Sequence, residues 1–347
     1  SLKGVQSIAR SAGKALRPHA KTHKCSSLAK MQIEHGAIGV CAAKVSEAEA
    51  LARAGVSGIL ITGPVSTPQK VERLADILTV SPSLIVAVDN RESIKLLSQV
   101  LRERGLSIEV LLDINAGQNR TGVMPEEAVE LAAYISSFEN LTLLGIQAYA
   151  GHLQHIPDYE MRRSSSKVCL EKAANVYRVL QEKYEKCHIF STSGTGTFAA
   201  DAAIPEITEF QVGSYISMDA EYLSVRGTMV NDGSDSLRSA LTLLSSVVST
   251  NQENFVTIDA GLKAMYKDGG VPVVVTPEFS KLQYDWFGDE YGKLTSKGGA
   301  KLPHLGTVVE LITSHCDPTI NLYDRFYLTR GNEVVGSWEI DLRGCCR

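Results

Sequence analysis

Short apolar runs alternate with amphipathic helical patterns along the first two thirds of the chain, and this alternation constrains the fold most strongly. Runs that are apolar along their whole length are typical of parallel strands covered by helices. Eight such units favour a closed (β/α)8 TIM barrel over an open sheet. No Gly-x-Gly-x-x-Gly follows the first run, which argues against a dinucleotide-binding fold. The predicted strands are 15–23, 38–43, 58–62, 84–88, 108–114, 143–149, 188–192 and 210–217.

After residue 226 the pattern changes to strands joined by Gly, Pro and Asp turns. We predict a barrel domain over residues 1–226 and a mostly antiparallel β domain over residues 227–347. Residues 227–236, rich in Gly, Asn, Asp and Ser, are the predicted linker. Residues 276–303 carry aromatic side chains among glycines and acids, and we predict a long loop over the site or at a subunit contact. The predicted strands of this domain are 240–250, 255–259, 271–276, 307–313, 325–328 and 334–342.

Composition limits the classes of function. A chain of 347 residues with 44% hydrophobic content can bury a large core, and a net charge of −4 gives no reason to expect a nucleic-acid partner. No apolar run approaches the length that spans a bilayer, and no secretory signal is recognisable. Seven scattered cysteines without zinc-finger spacing favour reduced thiols. We predict a soluble intracellular protein, cytoplasmic by default with an organelle also open, that binds neither nucleic acid nor membrane.

The first predicted strand ends in a basic cluster, LRPHAKTHK at residues 16–24. In an extended strand His19, Lys21 and His23 would point to one side. A solvated basic strand end is one interpretation of such a cluster. The other is catalytic: a lysine near other cations and partly removed from water has a lowered pKa, so its amine can condense with an aldehyde cofactor.

The motif RPHxKTHK resembles the lysine motif of the D-threonine aldolase and D-serine dehydratase family. These are pyridoxal-phosphate (PLP) enzymes of the alanine-racemase fold type, PLP fold type III. The resemblance covers the chain from about Leu16 to Leu342 and implies a TIM barrel followed by an antiparallel β domain, with Lys21 holding PLP. The fold type also implies a homodimer in which the β domain of one subunit covers the barrel of the other. Relatives usually carry a strand before the first helix, so we expect a trimmed N-terminus.

Barrel enzymes assemble their sites at the carboxyl ends of the strands, so polar residues there are the candidates. The fifth strand runs into DINAGQNRTG at residues 113–122, which resembles the family's Asn-Arg-x-Gly segment and implies that Arg120 faces the cofactor ring. A turn with an incidental surface arginine is the alternative. The sixth strand ends in QAYAGHLQH at residues 147–155, where the resemblance implies that Tyr149 lies beside the cofactor and His155 near the substrate β-hydroxyl. Histidine suits proton transfer near neutral pH, although a lone histidine is more often structural.

The seventh strand runs into STSGTGT at residues 191–197. Small residues let backbone amides turn toward an anion and the hydroxyls add donors, although most such loops are only turns. TIM barrels often bind phosphate after their last two strands, and the family has a Gly-Thr-Gly segment at this place. The candidate cofactor-binding residues here are Ser193, Gly194, Thr195 and Gly196, with Ser214 and Tyr215 from the eighth strand.

The candidate metal pair lies in SHCDPT at residues 314–319. In an extended segment His315 and Asp317 point the same way and Cys316 points opposite, so an imidazole and a carboxylate can share one ion. Two protein ligands leave positions for water and substrate. The pattern is weak alone, but the family's second-domain metal site reads His-x-Asp or His-x-Cys at this place. The His/Asp pair suits Mn²⁺ or Mg²⁺ as well as Zn²⁺ and resembles the aldolase branch, whereas D-serine dehydratases tend to have His-x-Cys.

Together these residues imply a lyase that uses PLP and a divalent metal to cleave D-threonine and other D-β-hydroxy amino acids to glycine and an aldehyde. Lys21 and His155 are its candidate catalytic residues. The alternative is a D-serine or 3-hydroxy-D-aspartate dehydratase that yields a 2-oxo acid and ammonia. A PLP-binding protein without turnover is a third interpretation, which the second domain and the metal pair argue against. The lyase interpretation requires Lys21, His315 and Asp317 to open onto one pocket.

Overall fold

A computed structural model describes residues 1–225, 237–296 and 298–347. The predicted linker, 227–236, and the boundary between the two predicted domains lie outside the described residues. Among the helices that are described, none is long and apolar enough to cross a lipid bilayer.

The described part of the first domain contains eight parallel strands, and all of them correspond to predicted strands. Near-continuous burial explains them, because strands covered on both faces are stabilised by apolar side chains at every position. They are β1 (Ala15–Leu16), β2 (Val40–Ala42), β3 (Ile59–Ile61), β4 (Ile85–Val88), β5 (Ile108–Asp113), β6 (Leu141–Ala148), β7 (Ile189–Thr192) and β8 (Glu209–Phe210).

The eight strands form one curled sheet in the order β1-β8-β7-β6-β5-β4-β3-β2. A bridge between His19 and Cys41 joins its two edges, so the sheet closes into a barrel. This confirms the predicted (β/α)8 TIM barrel. Strand β1 is much shorter than predicted because Pro18 removes a backbone donor and the chain turns at residues 20–23. One buried side chain from each of β2 to β7 fills the barrel interior: Cys41, Leu60, Ile85, Leu111, Leu144 and Ile189.

Helices follow the strands and cover the barrel. Helix starts carry recognisable signals: Asn90 accepts hydrogen bonds from the N–H groups of Glu92 and Ser93, and Pro68 occupies the first turn of its helix. The helices are α1 (Leu2–Ser11), α2 (Ser26–Glu34), α3 (Val45–Arg53), α4 (Pro68–Val80), α5 (Arg91–Glu103), α6 (Ala128–Ser136), α7 (Tyr159–Lys183), α8 (Phe198–Asp201), α9 (Ala220–Leu223) and α10 (Cys316–Ile320).

The second domain is antiparallel, as predicted. Its six-stranded sheet has the order β11-β14-β9-β10-β13-β12, and β15 and β16 form a separate hairpin. Its core is a cluster of buried side chains around Val256, Leu294 and Leu311. The strands are β9 (Thr242–Ser249), β10 (Phe255–Ile258), β11 (Val273–Val274), β12 (Leu282–Trp286), β13 (Gly292–Ser296), β14 (Val308–Ile312), β15 (Arg325–Arg330) and β16 (Glu333–Glu339).

The prediction of a long loop over residues 276–303 is wrong. Strands β12 and β13 pair antiparallel within this segment, with Leu282 opposite Ser296 and Trp286 opposite Gly292. Leu282 and Tyr284 are buried while the residues between and after them are exposed, which is the alternation of a strand with one face on a core. The hydroxyl of Tyr284 donates to the carbonyl of Ala260 at 2.8 Å, so this aromatic residue belongs to the sheet core rather than to a lid.

Candidate active site

A cavity of about 840 Å³ opens at the carboxyl ends of the barrel strands, where the β domain meets them. Polar side chains from both domains line it, so the requirement that Lys21, His315 and Asp317 share one pocket is met. Of the residues singled out in the sequence, those that line this cavity are His19, Lys21, Arg120, Tyr149, His155, Gly194, Thr195, Ser214, His315 and Asp317.

Lys21 lies in the turn that follows β1, and its amine contacts the β domain directly. Its Nζ donates to Oδ2 of Asp317 at 2.9 Å. The negative charge of Asp317 raises the pKa of Lys21 above its ordinary value and outweighs the effect of burial. The lowered pKa expected from neighbouring cations is therefore wrong for this state, because a carboxylate from the other domain lies nearer than any imidazole charge.

The two histidines that flank Lys21 face different environments, contrary to the strand alternation predicted for them. His19 lines the cavity, and its Nε2 lies 3.1 Å from Oγ1 of Thr62. His23 is buried, with Nε2 at 3.2 Å from Oε1 of Gln32. Burial lowers the pKa of His23 to about 4, so its imidazole is neutral at pH 7 and structural. The cause is the turn at residues 20–23, which ends the period of two.

The loops after β7 and β8 form one wall of the cavity from small residues. A Cβ at Gly194 would lie 2.5 Å from Oε1 of Gln154, and a Cβ at Gly213 would lie 2.5 Å from Oγ1 of Thr22. Only glycine permits such close approach at these two positions. Thr195 and Ser214 supply hydroxyl groups beside them.

Three of the candidate phosphate-binding residues do not line the cavity. Gly196 donates its N–H to Oε1 of Gln154 at 3.0 Å. The hydroxyl of Tyr215 accepts from Nε2 of Gln32 at 3.0 Å, so the ring is buried toward α2, and its backbone N–H donates to Oγ1 of Thr195. Ser193 is buried with a positive φ of 72°, which places it beneath the loop. These residues shape the loop rather than face the cavity.

Arg120 and Tyr149 form a pair on the opposite wall. The guanidinium carbon of Arg120 lies 5.7 Å from the ring centroid of Tyr149. Burial raises the pKa of the Tyr149 hydroxyl, which stays protonated at neutral pH. A cation over an aromatic face provides a flat, positively charged surface.

His155 lies between the two domains, in the segment after β6. Its Nδ1 is 3.3 Å from Oε1 of Glu221, and its ring centroid is 4.7 Å from that of Tyr222. Burial lowers the pKa of His155, so the imidazole is neutral near pH 7. A proton on Nδ1, the nitrogen beside Glu221, would leave Nε2 as the nitrogen that can accept a proton.

The sequence analysis placed His315 and Asp317 in one extended segment, and this placement is wrong. His315 is the residue before α10, with an extended backbone, and Asp317 lies in the first turn of that helix. Both nevertheless line the cavity, and Cys316 between them is buried with its Sγ toward the carbonyl of Met218. His315 and Asp317 thus point to the same side and Cys316 to the other, as predicted, but strand alternation is not the reason.

Each of these two side chains has an ordered partner. Nδ1 of His315 lies 3.1 Å from Oδ2 of Asp268. Asp317 accepts from Lys21, from Oγ1 of Thr22 at 3.1 Å and from Oγ of Ser214 at 3.4 Å. Burial opposes ionisation of Asp317, but Lys21 holds its pKa below the ordinary value.

Comparisons with known proteins agree with this geometry. The model for "Alanine racemase, N-terminal domain" matches residues 2–221, and that for "Putative serine dehydratase domain" matches residues 240–329. D-threonine aldolase from an Arthrobacter species is 36% identical over 100% of this chain and 90% of its own length. 3-Hydroxy-D-aspartate aldolase from Paracoccus denitrificans (strain Pd 1222) is 32% identical over 99% and 89%. The crystal structure of D-threonine aldolase from Filomicrobium marinum has a TM-score of 0.94 at 34% identity and covers 100% and 93% of the two chains.

The chain belongs to the D-threonine aldolase and D-serine dehydratase family. Membership of this family confirms the resemblance seen in the LRPHAKTHK motif and the alanine-racemase-like fold. PLP is the cofactor that the family's fold implies, and the cavity fits it on three grounds. Lys21 presents an amine inside the cavity, the small residues Gly194, Gly213 and Ser214 line one wall, and the pair of Arg120 and Tyr149 flanks the space for a ring.

The donor set also fits a divalent metal that keeps several water ligands. Within the three described segments, no group of three or more His, Cys, Asp or Glu side chains could hold a metal ion. His315 and Asp317 are two candidate ligands at one cavity, a number that would suit Mg²⁺ or Mn²⁺ better than a four-coordinate structural zinc. A proton on Nδ1 of His315, 3.1 Å from Oδ2 of Asp268, would leave Nε2 as the ligand atom, an arrangement typical of metal-binding histidines.

Several side chains of this site received no role from the sequence, among them Thr22, Asp219, Glu221 and Asp268. Thr22 adjoins the lysine motif and could have been found there. The three acids contact His155, His315 or the backbone between the metal pair from distant parts of the chain. Their sequence neighbours carry no recognisable motif, so only the fold identifies them.

Proposed function

We propose that this protein is a PLP- and metal-dependent lyase that cleaves D-threonine and other D-β-hydroxy amino acids to glycine and an aldehyde. The observation that carries the proposal is the contact of Lys21 Nζ with Asp317 Oδ2 at 2.9 Å in one cavity. An amine for the cofactor and a metal-binding carboxylate are thus close enough for one amino acid to reach both. Relatives over nearly the full chain are a D-threonine aldolase and a 3-hydroxy-D-aspartate aldolase, which supports the same reaction class.

Lys21 would hold PLP through its amine, with Gly194, Thr195 and Ser214 around the phosphate and Arg120 and Tyr149 at the ring. When bound, PLP supplies an electron sink for the pair left on Cα after the bond to Cβ breaks. The walls of the cavity would position the substrate so that the Cα–Cβ bond, rather than another bond to Cα, is the one that breaks.

His155 is the base that this arrangement supports. Its imidazole is neutral, and the contact of Nδ1 with Glu221 leaves Nε2 to take the proton from the substrate β-hydroxyl. His315 and Asp317 would hold the divalent ion, Mn²⁺ or Mg²⁺ in preference to Zn²⁺, next to that hydroxyl. A divalent ion at this position lowers the pKa of an oxygen bound to it, which makes proton transfer to a neutral imidazole favourable.

Dehydration is the second candidate, because residues 240–329 match a putative serine dehydratase domain. In that reaction Lys21 would remove the α-proton and the β-hydroxyl would leave, giving a 2-oxo acid and ammonia. The pair His315 and Asp317 carries an oxygen ligand instead of a thiolate, and we favour cleavage for this reason.

The deciding experiment is incubation of the protein, loaded with PLP and Mn²⁺, with D-threonine and with D-serine. Glycine plus acetaldehyde from D-threonine supports cleavage. Pyruvate plus ammonia from D-serine, without glycine from D-threonine, supports dehydration and overturns our proposal. An absorbance spectrum of the bound cofactor that does not change on adding either amino acid would indicate a PLP-binding protein without turnover.

We further propose that the protein is an intracellular homodimer, as the fold type implies. All seven cysteines, each within a described segment, are free thiols, which fits a reducing compartment. Light scattering that gives twice the mass of 37.5 kDa would support the dimer, and a monomer mass would overturn it.

A further inference from the structure

We propose that Asp219 is a positioning residue that sets the placement of the metal pair relative to His155. The inference rests on the proposed metal site and concerns a residue that touches neither substrate nor metal in our assignment. Asp219 is fully buried at the junction of the two domains, directly before α9. A buried carboxylate is retained only where it is hydrogen-bonded, and both oxygens of this one are.

The first oxygen fixes the segment that carries the metal pair. Oδ2 of Asp219 accepts the backbone N–H of Cys316 at 2.9 Å. That N–H belongs to the peptide bond between His315 and Cys316, so the bond fixes the plane from which the ring of His315 and, one residue later, the carboxylate of Asp317 project. The backbone of the same segment is tied again where the N–H of Ala220 donates to the carbonyl of Thr313 at 3.0 Å.

The second oxygen fixes the element that contacts His155. Oδ1 of Asp219 accepts the N–H of Tyr222 at 3.1 Å and so caps α9, a helix of four residues. Such a short helix has little stability of its own and depends on its cap. The two side chains that contact His155, Glu221 and Tyr222, both lie on this helix.

One carboxylate therefore connects the two halves of the site. It joins the start of α10 in the β domain to α9, which contacts His155 in the barrel. Loss of either hydrogen bond would let one half move relative to the other without removing any group that faces the cavity. Residues that orient metal ligands from behind typically change metal affinity about 10–100-fold when they are replaced.

The test compares Mn²⁺ binding by the PLP-loaded parent, Asp219→Asn and Asp219→Ala, measured by electron paramagnetic resonance of free Mn²⁺. Asparagine keeps the size of the side chain but turns an amide NH₂ toward one of the two N–H donors, and alanine removes both bonds. We expect the Mn²⁺ dissociation constant to rise about 10–100-fold in both variants while the PLP content per subunit stays at the parent's value. If Asp219→Ala fails to fold, the isosteric asparagine variant carries the test.

Asp341→Asn, at an exposed position, is the control for loss of a hydrogen bond at a helix start. Asp341 also accepts a backbone N–H at the start of a distant helix, that of Ser26 at 2.8 Å, but it does not line the cavity. Loss of a purely structural hydrogen bond lowers the melting temperature without changing metal affinity. Asp341→Asn should therefore bind Mn²⁺ as the parent does. Parent-like Mn²⁺ affinity in Asp219→Asn would overturn this inference alone. Absence of Mn²⁺ binding by the parent would overturn the proposed metal site together with it.

Discussion

The two sides of the cavity are built by different means. On the barrel side, Lys21, Arg120 and the glycine loops follow strands whose backbone is held by a closed sheet and a large apolar core. On the β-domain side, Asp317 lies in a helix of five residues and His315 directly precedes it, and the position of this segment depends on side-chain hydrogen bonds from other elements. We therefore expect the barrel side to be preformed and the β-domain side to be sensitive to single polar substitutions.

Removing the amine of Lys21 from the barrel side should have the largest effect on activity. Lys21→Ala should abolish cofactor-dependent cleavage of D-threonine, because it removes the amine that lies beside Asp317 and would hold the cofactor. Lys21→Arg is the informative companion: a guanidinium keeps the positive charge beside Asp317 but cannot condense with an aldehyde. Both variants should lack the visible absorbance of bound PLP. Turnover by Lys21→Arg at the parental rate would contradict the assignment.

His155 lies between the two sides, and its replacement should have the next largest effect. Removing a general base costs about 10²–10⁴-fold in rate, so His155→Asn should lower kcat by that factor while PLP content and Mn²⁺ affinity stay unchanged. His152→Asn is the matched control, because His152 lies on the same segment but lines a separate shallow pocket. Equal kcat values for the two variants would remove His155 from the mechanism.

The pH dependence of the free energy of unfolding tests the protonation state of Asp113, a buried acid on the barrel side. Asp113 accepts from Nε2 of Gln147 and from Oγ1 of Thr121, and burial raises its pKa to about 6. Between the unfolded value near 4 and 6, the folded state binds more protons, so the parent loses stability as pH rises through this window. Asp113→Asn removes that loss. Its free energy of unfolding, relative to the parent, should increase by about 2 kcal/mol from pH 4 to pH 7.

Urea unfolding at both pH values measures this change. A difference between Asp113→Asn and the parent that is the same at pH 4 and pH 7 would show that folding does not raise the pKa of Asp113.

The smallest expected effect is a change in Mn²⁺ affinity that depends on a contact between the two sides of the cavity. The ion pair between Lys21 and Asp317 competes with any cation for the carboxylate, and a covalent bond from Lys21 Nζ to a cofactor would remove this competition. Removal of PLP should therefore weaken Mn²⁺ binding by about tenfold, a typical coupling between two sites. Lys21→Ala without PLP should bind Mn²⁺ as tightly as the loaded parent. Equal affinity of the loaded and PLP-free parent would show that the ion pair does not compete.

The barrel could be predicted from the sequence because its strands are apolar on both faces, a local pattern. The strand ends could not, since β1 and β8 are only two residues long and the turn after β1 depends on contacts with neighbouring strands. Strand β12 was missed although Leu282, Tyr284 and the polar residues between them alternate, because glycines and acids around them indicated a loop.

The candidate site shows the same division between local and long-range information. The Lys21 motif and the pair His315 and Asp317 are local patterns, and both were found. The turn that separates His19 from His23, and the contact of Asp219 with the N–H of Cys316, arise from residues far apart in the chain. No periodicity or short motif encodes such contacts, so they require the fold.

The most direct test of the shared cavity is a crystal structure of the protein with PLP and Mn²⁺, with anomalous diffraction recorded at the manganese edge. We expect continuous density from Nζ of Lys21 to the cofactor and a manganese peak bound by His315 and Asp317 in the same cavity. A manganese peak away from these two side chains, or a cofactor bound without a link to Lys21, would contradict the account.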